Sequence, residues 1–145
     1  MDPETTQIRT LLAERSAALN AGNAAAAVAT TADGAVTYDL ALPLEYVHER
    51  AAAMANLDAW FSTWTGPITN EVVDPTIIVS GNLAVAFGLS RLSGISKSAG
   101  PHESWYRTTV MLQRRTDGWQ IFHEHMSYPT RMDGSGLSAT DLKPE

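Results

Sequence analysis

Residues 117–129 read Asp117-Gly118-Trp119-Gln120-Ile121-Phe122-His123-Glu124-His125-Met126-Ser127-Tyr128-Pro129. An Asp-Gly pair running into aromatic and β-branched residues marks a tight hairpin turn that opens a strand. Outward from it, Ser104–Arg115 has the same character, and Thr116-Asp117-Gly118 joins the two. Further back, Leu83–Gly94 and Ile68–Ser80 continue the pattern, with joints at Ser98-Ala99-Gly100-Pro101 and Ser80-Gly81-Asn82. Four strands in succession are therefore expected, with Trp119–Tyr128 the last. Asp74-Pro75 falls inside the first. Proline cannot donate to a ladder, so a bulge or a change of pairing partner is expected there.

The first half is helical. Asp2-Pro3-Glu4 supplies a capping oxygen, a first-turn proline and an acid near the positive dipole end. Ile8, Leu11, Leu12, Arg15 and Leu19 then share one face. Asn20-Ala21-Gly22 stops that helix, and Asn23 caps an alanine-rich second one reaching about Thr31. Ala32-Asp33-Gly34 reads as a turn into a strand, Ala35–Leu40, which Pro43 interrupts. A third helix is expected from about Glu49 to Trp64, with Met54, Leu57, Phe61 and Trp64 on one stripe and Trp60 on its edge. Gly66-Pro67 ends it. Ser93-Gly94 reads as a turn. Helices followed by a meander predict an α+β fold, helices covering one face of a curved sheet with a cavity between. The expectation is a single domain over residues 1–130 and a loose polar tail over 131–145.

Bulk properties narrow the function. The 145 residues suit one domain. Sixteen acids against 10 bases give a net charge of −6, and no basic run exists to displace phosphate counterions, so nucleic acid is excluded. Arg114-Arg115 reads as solvated hairpin charge. No cysteine is present, which removes thiolate nucleophiles, disulfides and thiolate metal sites. The acidic, polar N-terminus lacks a signal pattern, and no apolar run could span a bilayer. The expectations are a cytoplasmic protein and no membrane.

Strict alternation along the last strand puts Trp119, Ile121, His123, His125 and Ser127 on one face and Phe122, Glu124 and Met126 on the other. Two same-face histidines stand about 7 Å apart and can exchange protons with one ligand near neutral pH. The spacing also suits a metal, with His48, His102 or Asp39 to assist, but no matched third and fourth ligand is evident. No metal and no cofactor are expected. Trp105, Arg107 and Thr109 share a face of their strand, and Arg107 could hold a ligand anion or pair with Asp39 or Glu124. The opposite face, with Tyr106 and Thr108, is equally apolar, so which face lines the cavity stays open. Trp60 and Trp64 are candidates for an apolar pocket wall.

Several stretches together resemble the nuclear transport factor 2-like superfamily, and within it SnoaL-like, ketosteroid-isomerase-related proteins. They are Ala17–Gly22, Ala32-Asp33-Gly34 leading to Asp39, Trp60 through Ile68, Trp105-Tyr106-Arg107-Thr108-Thr109 and Asp117 through Pro129, spanning roughly residues 5–130. The resemblance implies a cone-shaped barrel of helices and curved sheet, a pocket between them, a homodimer and a small apolar organic ligand. It places Asp39 where ketosteroid isomerases carry their base. Arg15 or Ser16 falls where they carry a tyrosine, and no acid occurs near Thr109–Met111, where they carry a second acid. The oxyanion site is therefore missing, which disfavours steroid isomerisation as such.

The expected function is small-molecule binding, with cofactor-independent isomerisation, cyclisation or dehydration of an apolar carbonyl compound through Asp39, His123 and His125. The alternative is a non-catalytic ligand-binding or dimerisation module.

Overall fold

The computed structural model describes residues 2–145. Asp2 caps α1 (Pro3–Asn20), its Oδ1 accepting from the Thr5 N–H at 2.9 Å. Gly22, at φ +72°, allows the reversal after α1, and Asn23 caps α2 (Ala24–Val28). Then follow β1 (Thr31–Tyr38), the two-residue β2 (Tyr46–Val47), and α3 (Arg50–Phe61), which Glu49 caps through the Ala51 and Ala52 N–H groups. The meander is β3 (Trp64–Ser80), β4 (Leu83–Ser96), β5 (Gly100–Arg115) and β6 (Gly118–Ser127). One sheet runs in the order β2-β1-β6-β5-β4-β3, antiparallel except for the parallel pair β1–β6. The predicted α+β class and helix-covered sheet hold. The sheet remains open between β2 and β3, so the barrel is incomplete.

The core lies between α1 and the inner sheet face. Ile8 and Leu12 pack on Ala84, Ala86, Val110, Leu112, Trp119 and Ile121. Each fully buried aliphatic side chain contributes about 1.5–3 kcal/mol.

Bulges bend the sheet. The expected one is present: pairing shifts between Val73 and Thr76, with Asp74 at φ +44°. Ala32-Asp33-Gly34 is a bulge within β1 rather than a turn, because the Gly34 and His48 N–H groups are drawn into pairing across β1 and the residues after β2. A third bulge was not anticipated. Met111 pairs with His123 and Leu112 with Ile121, so Phe122 is the extra residue of β6.

Three more expectations are corrected. Trp64 opens β3 instead of ending α3, and Pro67 is tolerated at this edge because the ladder is interrupted between Thr65 and Thr69. Gly94 lies inside β4, opposite His102, where Trp64 packs so closely that a Cβ would meet its ring at 3.1 Å. Residues past Thr130 are not loose. Ala139 is buried, the Arg131 and Ala139 N–H groups bond to the Leu137 and Pro129 carbonyls, and Arg131 pairs with Asp141.

Candidate ligand-binding site

The Phe122 bulge decides which side chains face inward. Before it, Trp119 and Ile121 are buried against the helices; after it the phase inverts, and Glu124 takes the inner position opposite Val110. His123 and His125 turn to the outer face, opposite Met111 and Thr109. The predicted inward histidine pair and outward glutamate are thus reversed, because one inserted residue shifts a period-two pattern by one. His123 Nδ1 lies 2.6 Å from the Val36 carbonyl, which can only accept, so Nδ1 carries the proton. Tyr38 sets its ring edge-on to both histidines.

The inner face of β5 is Ser104, Tyr106, Thr108, Val110 and Leu112. Trp105, Arg107 and Thr109 lie outside. Trp105 Nε1 donates to Glu103, and Arg107 Nε donates to Ser127 Oγ at 3.2 Å, so Arg107 pairs with neither Asp39 nor Glu124.

Glu124 instead meets Arg15 of α1. Both guanidinium nitrogens donate, Nη1 to Oε1 at 2.8 Å and Nη2 to Oε2 at 2.6 Å, across 109 residues of sequence. Burial opposes the Arg15 cation, but the charge and hydrogen bonds of Glu124 outweigh it and hold the Arg15 pKa above its ordinary value. Around the pair, Tyr106 Oη donates to Asn70 Oδ1 at 2.7 Å, and Ser90 and Thr108 share a 2.7 Å hydrogen bond. Burial, then Glu124, raises the Tyr106 pKa, so the phenol stays protonated. These groups, with Leu12, Leu19, Val72 and Met126, line an inner cavity of about 60 Å³, room for about two waters.

Asp39 stands at the end of β1, at the rim of this cluster. Its carboxylate accepts from the Leu40 N–H at 2.7 Å and faces Tyr46 Oη at 3.5 Å. The residue is exposed, yet the atoms packed around its carboxyl, with Glu124 adding repulsion, raise its pKa; the Leu40 and Tyr46 bonds offset part of this. Burial and the neighbouring acids push Tyr46 up to about 12. Tyr46 therefore holds a proton beside a carboxylate of raised basicity.

On the far side of Leu19, a cleft of about 310 Å³ opens between the ends of α1 and α3 and the start of β3. Phe61, Trp64, Ile68 and Pro67 give it an apolar wall. Trp60 packs edge-on against Trp64 at 5.8 Å. Cleft and cavity share Leu19 as a wall. Another groove, about 650 Å³, runs between α1, α2 and the start of β6, remote from these groups and lined mainly by polar residues.

Arg15, Tyr46, Asn70, Tyr106 and Glu124 were not singled out as site residues from sequence. One signal did exist: apolar side chains occupy odd positions up to Ile121 and even ones from Phe122 through Met126 to Tyr128, a parity switch that marks a bulge. Among the described residues no group of three His, Asp or Glu side chains could hold a metal, and no helix is long and apolar enough to cross a membrane. His48 is buried beside β1, where burial lowers its pKa and keeps it neutral.

With the open six-stranded sheet and three helices in place, the sequence matches a SnoaL-like domain over residues 8–131. The chain belongs to the SnoaL-like family. Among solved structures, this SnoaL-like chain is similar to an NTF2-like protein of unknown function from Pseudomonas putida KT2440. The two share 29% identity, with 96% of this chain and 95% of that one covered at a TM-score of 0.83. A ketosteroid isomerase-like protein from Erwinia carotovora atroseptica SCRI1043 superposes with a TM-score of 0.71 at 19% identity, covering 88% and 97%. An NTF2-like superfamily protein from Salmonella enterica does so at 0.74 and 16%, covering 91% and 96%. The last two establish the fold alone. No curated protein matches the sequence.

Proposed function

We propose that this SnoaL-like protein binds a small, largely apolar carbonyl compound between α1, α3 and the inner sheet face, and moves a proton on it through Asp39. The observation that carries this reading is the placement of the Asp39 carboxylate beside the Tyr46 phenol, at the rim of the Arg15–Glu124 cluster. Asp39 removes a proton from the carbon next to the carbonyl, and the electron pair moves onto the carbonyl oxygen. Tyr46, protonated up to about pH 12, can donate to that oxygen. Return of the proton to another carbon completes an isomerisation; departure of a β-hydroxyl that takes up the Asp39 proton and leaves as water completes a dehydration. Neither outcome needs a cofactor.

A second reading, a ligand carrier without turnover, is favoured by the small inner cavity and by Arg15 being already committed to Glu124. A crystal structure of protein purified without added ligand tests the shared part of both. Electron density is expected in the cleft beside Trp64 and Leu19, reaching towards Asp39. Density confined to the outer face at His123 and His125 contradicts it.

Self-association belongs to the same proposal. Phe87, Leu89, Met111 and Tyr38 lie exposed on the outer face, with His123, His125 and Thr109 among them. Such a sheet face suits an isologous interface with a second copy. Phe87→Glu combined with Met111→Glu is expected to convert a dimer to a monomer by light scattering, with the far-ultraviolet circular dichroism unchanged. A wild-type protein that is monomeric at high micromolar concentration contradicts this part.

A further inference from the structure

The charge balance of the inner site allows its ligand to be defined more narrowly, on the reading that the Leu19 cleft and inner cavity form one binding site. We infer that Glu124 is a specificity residue: by neutralising Arg15 it restricts the site to uncharged ligands with a single carbonyl or hydroxyl head, and excludes carboxylates.

Three observations support this. The floor groups satisfy one another, Arg15 with Glu124, Tyr106 with Asn70 and Ser90 with Thr108. What they leave over carries no net charge: three N–H groups of the paired Arg15, the Asn70 Nδ2 donors, and one O–H with the remaining lone pairs of the Ser90–Thr108 pair. A carbonyl or hydroxyl oxygen can use these donors and acceptors without displacing any bond.

A carboxylate cannot. To take the bidentate face of Arg15 it would have to displace Glu124, leaving Glu124 buried without a partner, and an uncompensated buried charge is strongly destabilising; on the remaining Arg15 N–H groups it would stand as a second anion beside Glu124 on a single cation. Asp39 at the rim adds a second negative group on the same approach, and Glu124 already raises its pKa. The remainder of the ligand meets mainly Leu19, Phe61, Trp64, Pro67 and Ile68 in the cleft, where Asn20 is the one polar side chain, and this calls for an apolar body.

Arginine in a pocket is ordinarily read as an anion receptor. Here the bidentate pair removes that function, and a single substitution should restore it. Glu124→Gln keeps the shape and a hydrogen-bonding oxygen while releasing the Arg15 charge to the cavity.

Heptyl methyl ketone and octanoate share the same tail and the same number of heavy atoms, differing by a methyl against a charged oxygen. Their affinities for the full chain are measured at neutral pH by ligand-observed NMR, with intrinsic tryptophan fluorescence, compared with a Trp64→Phe control, as a second readout. The wild type is expected to bind the ketone at least about tenfold more tightly, a difference of about 1.4 kcal/mol. In Glu124→Gln the order is expected to reverse. Should that variant fold poorly, Arg15→Met with Glu124→Gln removes both charges; it is expected to keep the ketone preference and still reject octanoate. Octanoate binding the wild type as tightly as the ketone overturns the inference and leaves the pocket reading standing. Binding of neither probe at any concentration reached overturns both.

Discussion

Replacing Glu124 by alanine is expected to lower the unfolding free energy by about 3 kcal/mol, at the low end of the range for breaking a buried ion pair. The low end applies because the Arg15 side chain keeps 22% of its surface exposed and can recover some water. For a domain of this size that corresponds to a fall in Tm of about 6–12 °C. The cost comes from the partner left behind. Without Glu124, the Arg15 guanidinium faces the cavity without its bidentate carboxylate, and only neutral oxygens remain on the cavity floor. Arg15→Ala strands the carboxylate instead and is expected to cost a similar amount. The double variant Arg15→Met, Glu124→Met removes both charges together and is expected to recover most of the loss. Thermal melts of the three proteins check this. Single variants as stable as wild type would show that the pair is not buried as described.

Asp39→Asn has the largest expected effect on turnover, about 10²–10⁴-fold, the usual contribution of a positioned proton-transfer group. It should not cost stability. The Asp39 pKa is raised in the folded state, so its contribution to stability is fully present below the ordinary value of 3.8. That contribution is lost as pH rises through the raised value. At neutral pH the ionised carboxylate therefore works against folding, and the neutral amide is expected to melt at the same temperature as wild type or higher. Activity runs the other way, because the base must be ionised: the rate on a carbonyl substrate should fall as pH drops through the Asp39 pKa. Tyr46→Phe tests the donor and should reduce the rate while leaving that pH midpoint nearly in place. Full activity in Asp39→Asn would remove the acid–base reading.

How far the sequence could be read depended on the range of each signal. The cap at Asp2, the stop at Gly22, the hairpin at Asp117-Gly118 and the bulge at Asp74-Pro75 are set by single residues with restricted backbone chemistry, and all four occur where expected. The two-residue β2 is too short to show a period, and its pairing with Val36 and Thr37 depends on tertiary contact. Trp64 carries the helical stripe but lies in a strand, where packing over Gly94 outweighs the pattern.

The site was less legible. Phe122 inserts a residue with no glycine or proline to announce it, and everything after it changes face. His123 and His125 consequently leave the pocket side. Arg107 and Thr109 face outward for a separate reason: two equally apolar faces of β5 gave no sequence signal for the inner one. Asp39 follows β1, outside the shifted register of β6. The Arg15–Glu124 pair joins residues at opposite ends of the chain, and neither alternation nor helical spacing could have linked them.

The most direct test is to map heptyl methyl ketone onto the isotope-labelled protein by NMR. Shifts are expected to concentrate on Leu19, Asn70, Tyr106 and Glu124, with the Trp64 indole moving in the same titration. Shifts centred on His123, His125 and Arg107, or in the groove lined by Thr10 and Trp119, would place ligand binding elsewhere and contradict the inner site.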